Sequence, residues 1–462
     1  MVARQARTLN GPLRPRKRCP DSMRPLPGLK SITRRILETA HLLGVMRAVR
    51  RPSRLLAAMT TPEGVCALGR PLYLLAGRRA GKEIPLKRAR AILVVRLDEI
   101  GDVVLATPFL RELRRNASAA WITLVVRPQV LNLVELCPYV NEVCTFDWRT
   151  TGRAQGLKLL ARILYLAATR LWKRRFDLAL LPRWDVDCFF STYLTYLSGA
   201  SRRVGYSEHV LQRKQQSNAG LDRLLTDVID QRGAKHEVER NLDVLRFLGA
   251  SVPDDGLEIW LDEEDRSFAR RVCAGEGIGP HDLVIALAPG AGARKRRWPI
   301  ERFAELGRAL VRQYGARLAV VGGPEDRHLG GQLESGLGTA LLNLAGRTTL
   351  RQAAAVLECC QLAVTNDSGP MHLAAAAGSR VVEISCHPGA GDTEHYNSPA
   401  RLHPWGVPHV VVQPEHARGP CRDSCDSLEA HCILGVETGK VWAAARGLLD
   451  AGARTGTAVG DH

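Results

Sequence analysis

The sequence predicts an α/β protein with two Rossmann-like domains that face each other. Short apolar strands alternate with helices along most of the 462 residues, a pattern typical of parallel sheets covered by helices. Two of these strands, Ala91–Arg96 and Leu283–Ala288, each open one half of the chain, and each leads into a loop that contains glycine. We expect the domains at residues 91–270 and 271–462, after a basic extension over residues 1–90.

The extension carries nearly all of the net charge. Residues 1–90 contain 21 Lys and Arg against 4 Asp and Glu, which is +17 of the +18 for the whole chain. The start is rich in Arg and Pro and is expected to be disordered. Residues 32–56 combine apolar and basic side chains, as a helix on an anionic membrane surface does. The alternatives are a helix packed on the body, a solvated tail, and a start codon assigned too far upstream.

Three further observations restrict the class of protein. No apolar run reaches the ~18 residues needed to span a bilayer, and Met1–Pro20 is not followed by the apolar segment of a signal peptide. We therefore expect a cytoplasmic protein whose twelve cysteines are mostly reduced. Nucleic acid is not an expected partner, because Tyr73 is the single aromatic residue of the extension and base stacking needs more.

In the first half, Ala91–Arg96 is a continuous apolar run that predicts a buried strand. Thr107 is a candidate N-cap for the helix that follows. The Gly-x-Gly-x-x-Gly pattern of dinucleotide sites is absent. Further elements are expected as a helix over Thr107–Arg115, strands over Trp121–Val126, Phe176–Leu181 and Arg203–Tyr206, and helices over Leu157–Arg175 and His236–Leu248.

The second half repeats this alternation from Leu283 onward. Its last helix, Val436–Leu449, could cross back to the first domain. The other expected elements are strands over Leu283–Ala288, Leu318–Val321, Leu362–Thr365 and Arg380–Ile384, with helices over Ile300–Tyr314, Leu350–Cys359 and Met371–Ala377.

The loop between Leu362–Thr365 and Met371–Ala377 is the first candidate site. In open α/β sheets, ligands bind at the carboxyl ends of the strands, and a helix N-terminus favours phosphate. Asp367, Ser368 and His372 flank this helix start. A plain turn with a capping Asp is the alternative.

Two more stretches carry candidate chemistry. Arg294–Arg297 places four cations between a glycine loop and Trp298, which suits a diphosphate; a solvated basic run is the alternative. Asp102 follows Gly101 beyond the first strand, where a general base or a helix cap could lie. Asp98 lies earlier in the same loop.

Four motifs together resemble glycosyltransferase family 9, the lipopolysaccharide heptosyltransferases, over roughly 91–449. They are Val95–Pro108, Pro289–Pro299, Val321–Glu325 and Thr365–Gly378. The resemblance implies the GT-B fold, in which two Rossmann-like domains enclose the active site. It implies an inverting enzyme that moves a heptose or similar sugar from ADP-heptose to a lipid-linked inner-core saccharide. Such an acceptor lies at the inner face of the inner membrane, so the protein is expected to be peripheral there through residues 1–90.

The resemblance also implies roles for single residues. Asp102 is the expected base for the acceptor hydroxyl, and Asp98 is a poorer candidate because the family varies at its position. The family often has Lys two places before Trp298, where this chain has Arg296, so either Arg296 or Lys295 is the expected phosphate ligand. The remaining expected contacts with the sugar nucleotide are backbone N–H groups of Ser368 and Gly369 for phosphate, Asp367 for sugar hydroxyls, Glu325 for the ribose, and His372 as a phosphate contact or an ordinary helix residue.

No cofactor and no metal ion are expected. Cys421, Cys425, His431 and Cys432 are ligand types for zinc. Their spacing is not that of a known zinc finger, and His431 is adjacent to Cys432, so the sequence favours a structural thiol cluster. The alternatives to a heptosyltransferase are a relative that uses another sugar nucleotide and a catalytically silent envelope-assembly protein. The presence of Asp102 and Asp367 argues against the silent protein.

Overall fold

The computed structural model describes residues 84–149, 155–338 and 341–456. The helix expected over residues 32–56 lies outside these ranges, as does most of the basic extension. Residues 84–90, which the sequence assigned to the extension, pack on the first half: Leu86 and Ala89 are buried, and Arg202 donates a hydrogen bond to the Ile84 carbonyl. No helix within the described ranges is long and apolar enough to cross a membrane.

The first sheet contains six parallel strands in the order β3-β2-β1-β4-β5-β6. This is the order of the Rossmann fold. Val94 of β1 pairs with Leu124 and Leu180 on the two neighbouring strands. The strands are β1 (Ala91–Arg96), β2 (Trp121–Val126), β3 (Glu142–Thr145), β4 (Leu178–Leu181), β5 (Arg202–Tyr206) and β6 (Asp227–Ile229).

The second sheet repeats the same topology. Its order, β12-β11-β10-β7-β8-β9, equals that of the first sheet when each half is numbered from its own first strand. All of its strand pairs are parallel, and the expected fold class is therefore confirmed. The strands are β7 (Val284–Ala288), β8 (Arg317–Val320), β9 (Leu341–Asn343), β10 (Leu362–Asn366), β11 (Arg380–Ile384) and β12 (His409–Val412).

The helices cover both faces of each sheet, and short 3-10 and π turns supplement them. Those of the first half are α1 (Ile100–Val104), α2 (Thr107–Asn116), α3 (Leu131–Val134), α4 (Gln155–Leu166), α5 (Ser191–Leu197), α6 (Gln212–Ser217) and α7 (Glu237–Phe247). Those that follow are α8 (Glu263–Gly275), α9 (Ile300–Tyr314), α10 (Arg327–Leu337), α11 (Leu350–Glu358), α12 (Gly369–Ala376), α13 (Pro399–Leu402) and α14 (Thr438–Gly456).

Three expectations about helices are wrong. The N-cap of α2 is Ala106, and Thr107 is the first residue of the helix. The Thr107 hydroxyl donates to the Val104 carbonyl at 2.8 Å and does not cap the helix. The helix expected over Leu157–Arg175 changes at residue 167 into a π turn and then a 3-10 turn. The last helix, α14, packs on the second sheet through residues such as Val441 and does not cross to the first half.

One continuous apolar cluster joins the two halves. It includes Val94 of β1, Ala286 of β7 and Met371 of α12, all fully buried. Because this cluster spans both sheets, burial of apolar surface holds the halves against each other. The carboxyl ends of β1 and β10 lead into helices that meet at this contact.

Candidate active site

The first helices after β1 and β10 pack directly against each other. A Cβ atom on Gly101 of α1 would overlap the His372 imidazole of α12. A Cβ on Gly369, the first residue of α12, would lie 3.1 Å from Cβ of Ile100. Glycine at these two positions therefore allows the close approach, and the structure brings the Gly101–Asp102 motif to the Asp367–His372 loop.

Asp102 lies at the third position of α1 and is 28 % exposed. Its Oδ2 accepts a hydrogen bond from the Glu99 backbone N–H at 3.2 Å. Its Oδ1 lies 3.7 Å from Nη2 of Arg96. Burial raises the pKa of Asp102, Arg96 opposes this rise, and the Glu237 carboxylate adds to it. An accessible carboxylate with a raised pKa is suited to accept a proton.

Asp98, the poorer candidate, is in a different environment. It is 1 % exposed and forms ion pairs with Arg96, at 3.1 Å, and with Arg183. A buried carboxylate paired with two guanidinium groups is not free to contact a substrate. The structure thus separates a structural aspartate from an accessible one four residues later.

Arg296 and Asp367 form the polar centre of the second half. Nη1 of Arg296 lies 3.3 Å from Oδ2 of Asp367. The Arg296 Nε is buried without a hydrogen-bond partner in the part of the chain that the structure describes. A Cβ on Gly292 would lie 3.4 Å from Nη2 of Arg296, so this guanidinium lies against the glycine loop. An anion at this place would supply an acceptor for the unpaired donor.

Lys295, the other candidate cation, is engaged elsewhere. It is 8 % exposed, and its Nζ donates to the Tyr396 hydroxyl at 2.9 Å and to the Cys425 carbonyl at 2.6 Å. The geometry therefore favours Arg296 over Lys295 as a phosphate ligand.

The remaining predicted residues of α12 lie at its start. The Ser368 hydroxyl donates to the Asn366 carbonyl at 3.1 Å, which fixes the loop. His372 is 4 % exposed, and its Nδ1 lacks a partner among the described residues. Burial lowers the pKa of His372 to about 4, so the imidazole is neutral at pH 7.

Glu325 lies apart from this group, beyond the end of β8, and is exposed. Its carboxylate covers Gly323, at the edge where the carboxyl ends of the second sheet emerge. The adjacent Asp326 is 6 % exposed, accepts a hydrogen bond from the Gly323 N–H at 3.0 Å and contacts Gly290. Asp326 therefore supports the two glycine loops, and Glu325 is the acid that a ligand can reach.

Two residues that shape the site, Asn366 and Glu383, were not predicted from the sequence. Asn366 donates to the Pro289 carbonyl at 2.7 Å and accepts from the Trp298 N–H at 3.1 Å, which ties three loops together. Glu383 of β11 is fully buried, and burial together with the Asp367 carboxylate raises its pKa well above the ordinary value. A polar residue inside a buried strand was the available signal for both.

An arginine of the second half is bound by acids of the first. Arg401 donates to Oε1 of Glu237 at 2.5 Å and to Oδ2 of Asp185 at 2.7 Å. Nearby, His236 caps α7 and stacks on Trp405, with ring centroids 4.4 Å apart. The segment that begins at His236 thus contributes to the contact between the halves.

Comparison with known proteins finds a matching family and similar chains. The model of the family described as "Glycosyltransferase family 9 (heptosyltransferase)" matches residues 167–431. Lipopolysaccharide heptosyltransferase 2 of Escherichia coli K12 is 26% identical over 308 residues, which is 63% of this chain and 82% of that protein.

Two solved structures share the fold. The glycosyl transferase family 9 protein from Veillonella parvula has a TM-score of 0.65 and 23% identity, and the match covers 80% of this chain and 99% of that one. The E. coli ADP-heptose lps heptosyltransferase II has a TM-score of 0.58 and 22% identity, with 79% and 99% covered.

Proposed function

The chain belongs to glycosyltransferase family 9 and is a glycosyl-transferring enzyme, and from this we propose that it transfers a heptose from ADP-heptose to the inner core of lipopolysaccharide. The names of two similar proteins support this donor and this product. The observation that carries the proposal is the contact of α1 with α12, which brings the accessible Asp102 to the loop of Asp367, whose carboxylate forms an ion pair with Arg296.

In the proposed reaction, Asp102 accepts the proton of the acceptor hydroxyl. That oxygen bonds to the anomeric carbon from one face, and the bond between this carbon and the diphosphate oxygen breaks on the other. ADP leaves with the electron pair, and the configuration at the carbon is inverted. The raised pKa of Asp102 makes it a stronger base than an ordinary aspartate.

The second half stabilises the leaving group in this proposal. Arg296 supplies charge-assisted hydrogen bonds to the diphosphate, and the N-terminus of α12 adds the partial positive charge of a helix. Asp367 holds Arg296 and reaches sugar hydroxyls, and Glu325 contacts the ribose. Because His372 is neutral, it contributes a hydrogen bond and not a charge.

The choice of nucleotide is tested by a thermal-shift screen of ADP, UDP and GDP with their sugar conjugates. At equal concentrations, a ligand that binds only the folded state raises the unfolding temperature more, the more tightly it binds. The proposal predicts the largest shift for ADP-heptose, followed by ADP. A larger shift with a UDP- or GDP-sugar would redirect the proposal to a relative that uses another donor.

We further propose that residues 1–90 bring the enzyme to the anionic face of the membrane that contains its acceptor. The support is the +17 net charge of this segment, since each basic residue near an anionic surface contributes about 1 kcal/mol. Attachment of this kind weakens with added salt.

A further inference from the structure

A loop between β12 and α14 brings four potential metal ligands together, far along the chain from Asp102. They are Cys421, Cys425, His431 and Cys432, and their ligand atoms all lie within 4.8 Å of one another. Nδ1 of His431 lies 3.6 Å from Sγ of Cys421 and 3.5 Å from Sγ of Cys432.

These distances match a tetrahedral metal site. With Zn–S bonds of about 2.3 Å and a Zn–N bond of about 2.05 Å, tetrahedral angles place a ligand sulfur about 3.6 Å from a ligand nitrogen. A disulfide instead requires sulfur atoms about 2.05 Å apart, and none of the ten described cysteines is paired in this way.

The objection from adjacent ligands does not hold in the structure. His431 has φ −139° and ψ −80°, outside helical and extended values, and the 3-10 turn Cys432–Gly435 begins directly after it. This backbone conformation directs the His431 and Cys432 side chains to the same point.

The surroundings are those of a closed site. Cys425 and Cys432 are 1 % and 0 % exposed and pack in the apolar cluster of the second half. Cys386, from outside the group of four, lies next to Cys425. Four protein ligands of this composition complete a tetrahedron, which is the arrangement of structural zinc sites and not of catalytic ones.

We propose that Cys421, Cys425, His431 and Cys432 bind one Zn²⁺ ion that stabilises this loop. This proposal rests on the four side chains and does not depend on the identity of the sugar donor. It replaces the expectation of a metal-free thiol cluster.

The loop supports the segment that carries Arg296. The Cys425 carbonyl accepts from Lys295 at 2.6 Å. Beyond the last ligand, the Val436 carbonyl accepts from Nε1 of Trp298 at 2.8 Å and from Arg302 at 2.5 Å. A metal ion that orders the loop would therefore hold Arg296 in place through its chain neighbours, without touching a substrate.

Metal analysis of the full-length protein, purified under reducing conditions without a metal-affinity tag, tests the proposal. We expect about one zinc per chain. The Cys421→Ser/His431→Ala variant should lose this zinc, whereas Cys188→Ser, at an exposed thiol of the first half, should retain it. Zinc in equal amounts in both variants would overturn the assignment, and so would iron in place of zinc.

Cobalt substitution keeps the proposal testable if the double variant does not fold. After exchange of the wild-type protein with Co²⁺, tetrahedral thiolate ligation should give intense visible d–d bands and a sulfur-to-cobalt charge-transfer band. A wild-type protein that contains no zinc and shows no such bands would contradict the proposal.

Discussion

The two halves share one strand order but carry different chemistry at equivalent places. The fourth strand of each half, β4 or β10, pairs with the first. After β10 the chain forms the Asp367 loop and the start of α12. After β4 it continues to Asp185, whose carboxylate binds Arg401. The topology thus fixes where a loop emerges from the sheet. The residues of that loop determine whether it can bind a ligand or contacts the other half of the chain.

A second contrast concerns charge. The first half presents the carboxylate of Asp102 at the contact, and the second half presents the guanidinium of Arg296. We infer that the two halves have separate roles: the first accepts the proton of the acceptor hydroxyl, and the second binds the diphosphate. Substitutions in each half should therefore affect different steps.

Loss of the base should have the largest effect. Asp102→Asn keeps the shape of the side chain but removes its basicity, so turnover should fall about 10²- to 10⁴-fold. Thermal unfolding should change little, since Asp102 is partly exposed. Release of ADP in the presence of acceptor is the measurement, with Asp230→Asn as the control at an exposed carboxylate. Retention of most of the turnover would exclude Asp102 as the base.

Loss of the link between the halves should have the next largest effect. In Arg401→Ala, Asp185 keeps its ion pair with Arg213, at 2.8 Å, but the buried Glu237 loses both hydrogen bonds from Arg401. An uncompensated buried charge lowers the free energy of unfolding by about 3–5 kcal/mol.

Denaturant unfolding measures this loss. The matched control is Arg232→Ala, which breaks an exposed ion pair and should change the free energy of unfolding by less than about 0.5 kcal/mol. Similar values for the two variants would show that Arg401 does not hold the halves together.

A smaller effect is expected at the contact of α1 with α12. Gly101→Ala adds a methyl group where the His372 ring lies, and overpacking of this kind costs about 1–3 kcal/mol. Turnover should fall as well, because Asp102 moves with the helix. Gly447→Ala in α14, where a Cβ meets open space, should instead be neutral or slightly stabilising. Unchanged turnover and stability of Gly101→Ala would show that the contact is loose.

Removal of residues 1–83 should have the smallest effect on catalysis, because every proposed site residue lies beyond this segment, from Asp102 onward. The cut ends before Ile84 and Leu86, which contact the body. Transfer to a soluble acceptor should be nearly unchanged, while sedimentation with anionic vesicles should be lost. High salt should produce the same release of the full-length protein. Failure of the full-length protein to bind such vesicles at low salt would reject the membrane role.

Much of the fold could be predicted because its signals are local. The bounds of β1 and α9 were predicted to the residue, since β1 is a continuous apolar run and α9 is an amphipathic repeat that ends at Gly315. The helix α12 was predicted over Met371–Ala377 but begins at Gly369, because Gly369 was read as a turn residue although it is the first residue of the helix.

The arrangement of the site could be predicted only in part. The ends of predicted strands indicated Asp102 and Asp367. The sequence alone does not reveal that Gly101 contacts His372, which lies 271 residues further along the chain. The engagement of Lys295 by Cys425 and the convergence of the four metal ligands also depend on folding of distant segments. Such contacts have no periodic signal in the sequence.

Titration of ADP and adenosine into two variants tests these separate roles of the two halves most directly. If Arg296 binds the diphosphate, Arg296→Ala should weaken ADP binding about 10- to 100-fold, the value of a charge-assisted hydrogen bond, and leave adenosine binding nearly unchanged. Arg294→Ala, in the same turn but 70 % exposed and paired with Glu429, is the control and should behave as wild type. Asp102→Asn should bind ADP normally. Equal losses for ADP and adenosine in Arg296→Ala, or a comparable loss of ADP binding in Asp102→Asn, would contradict the account.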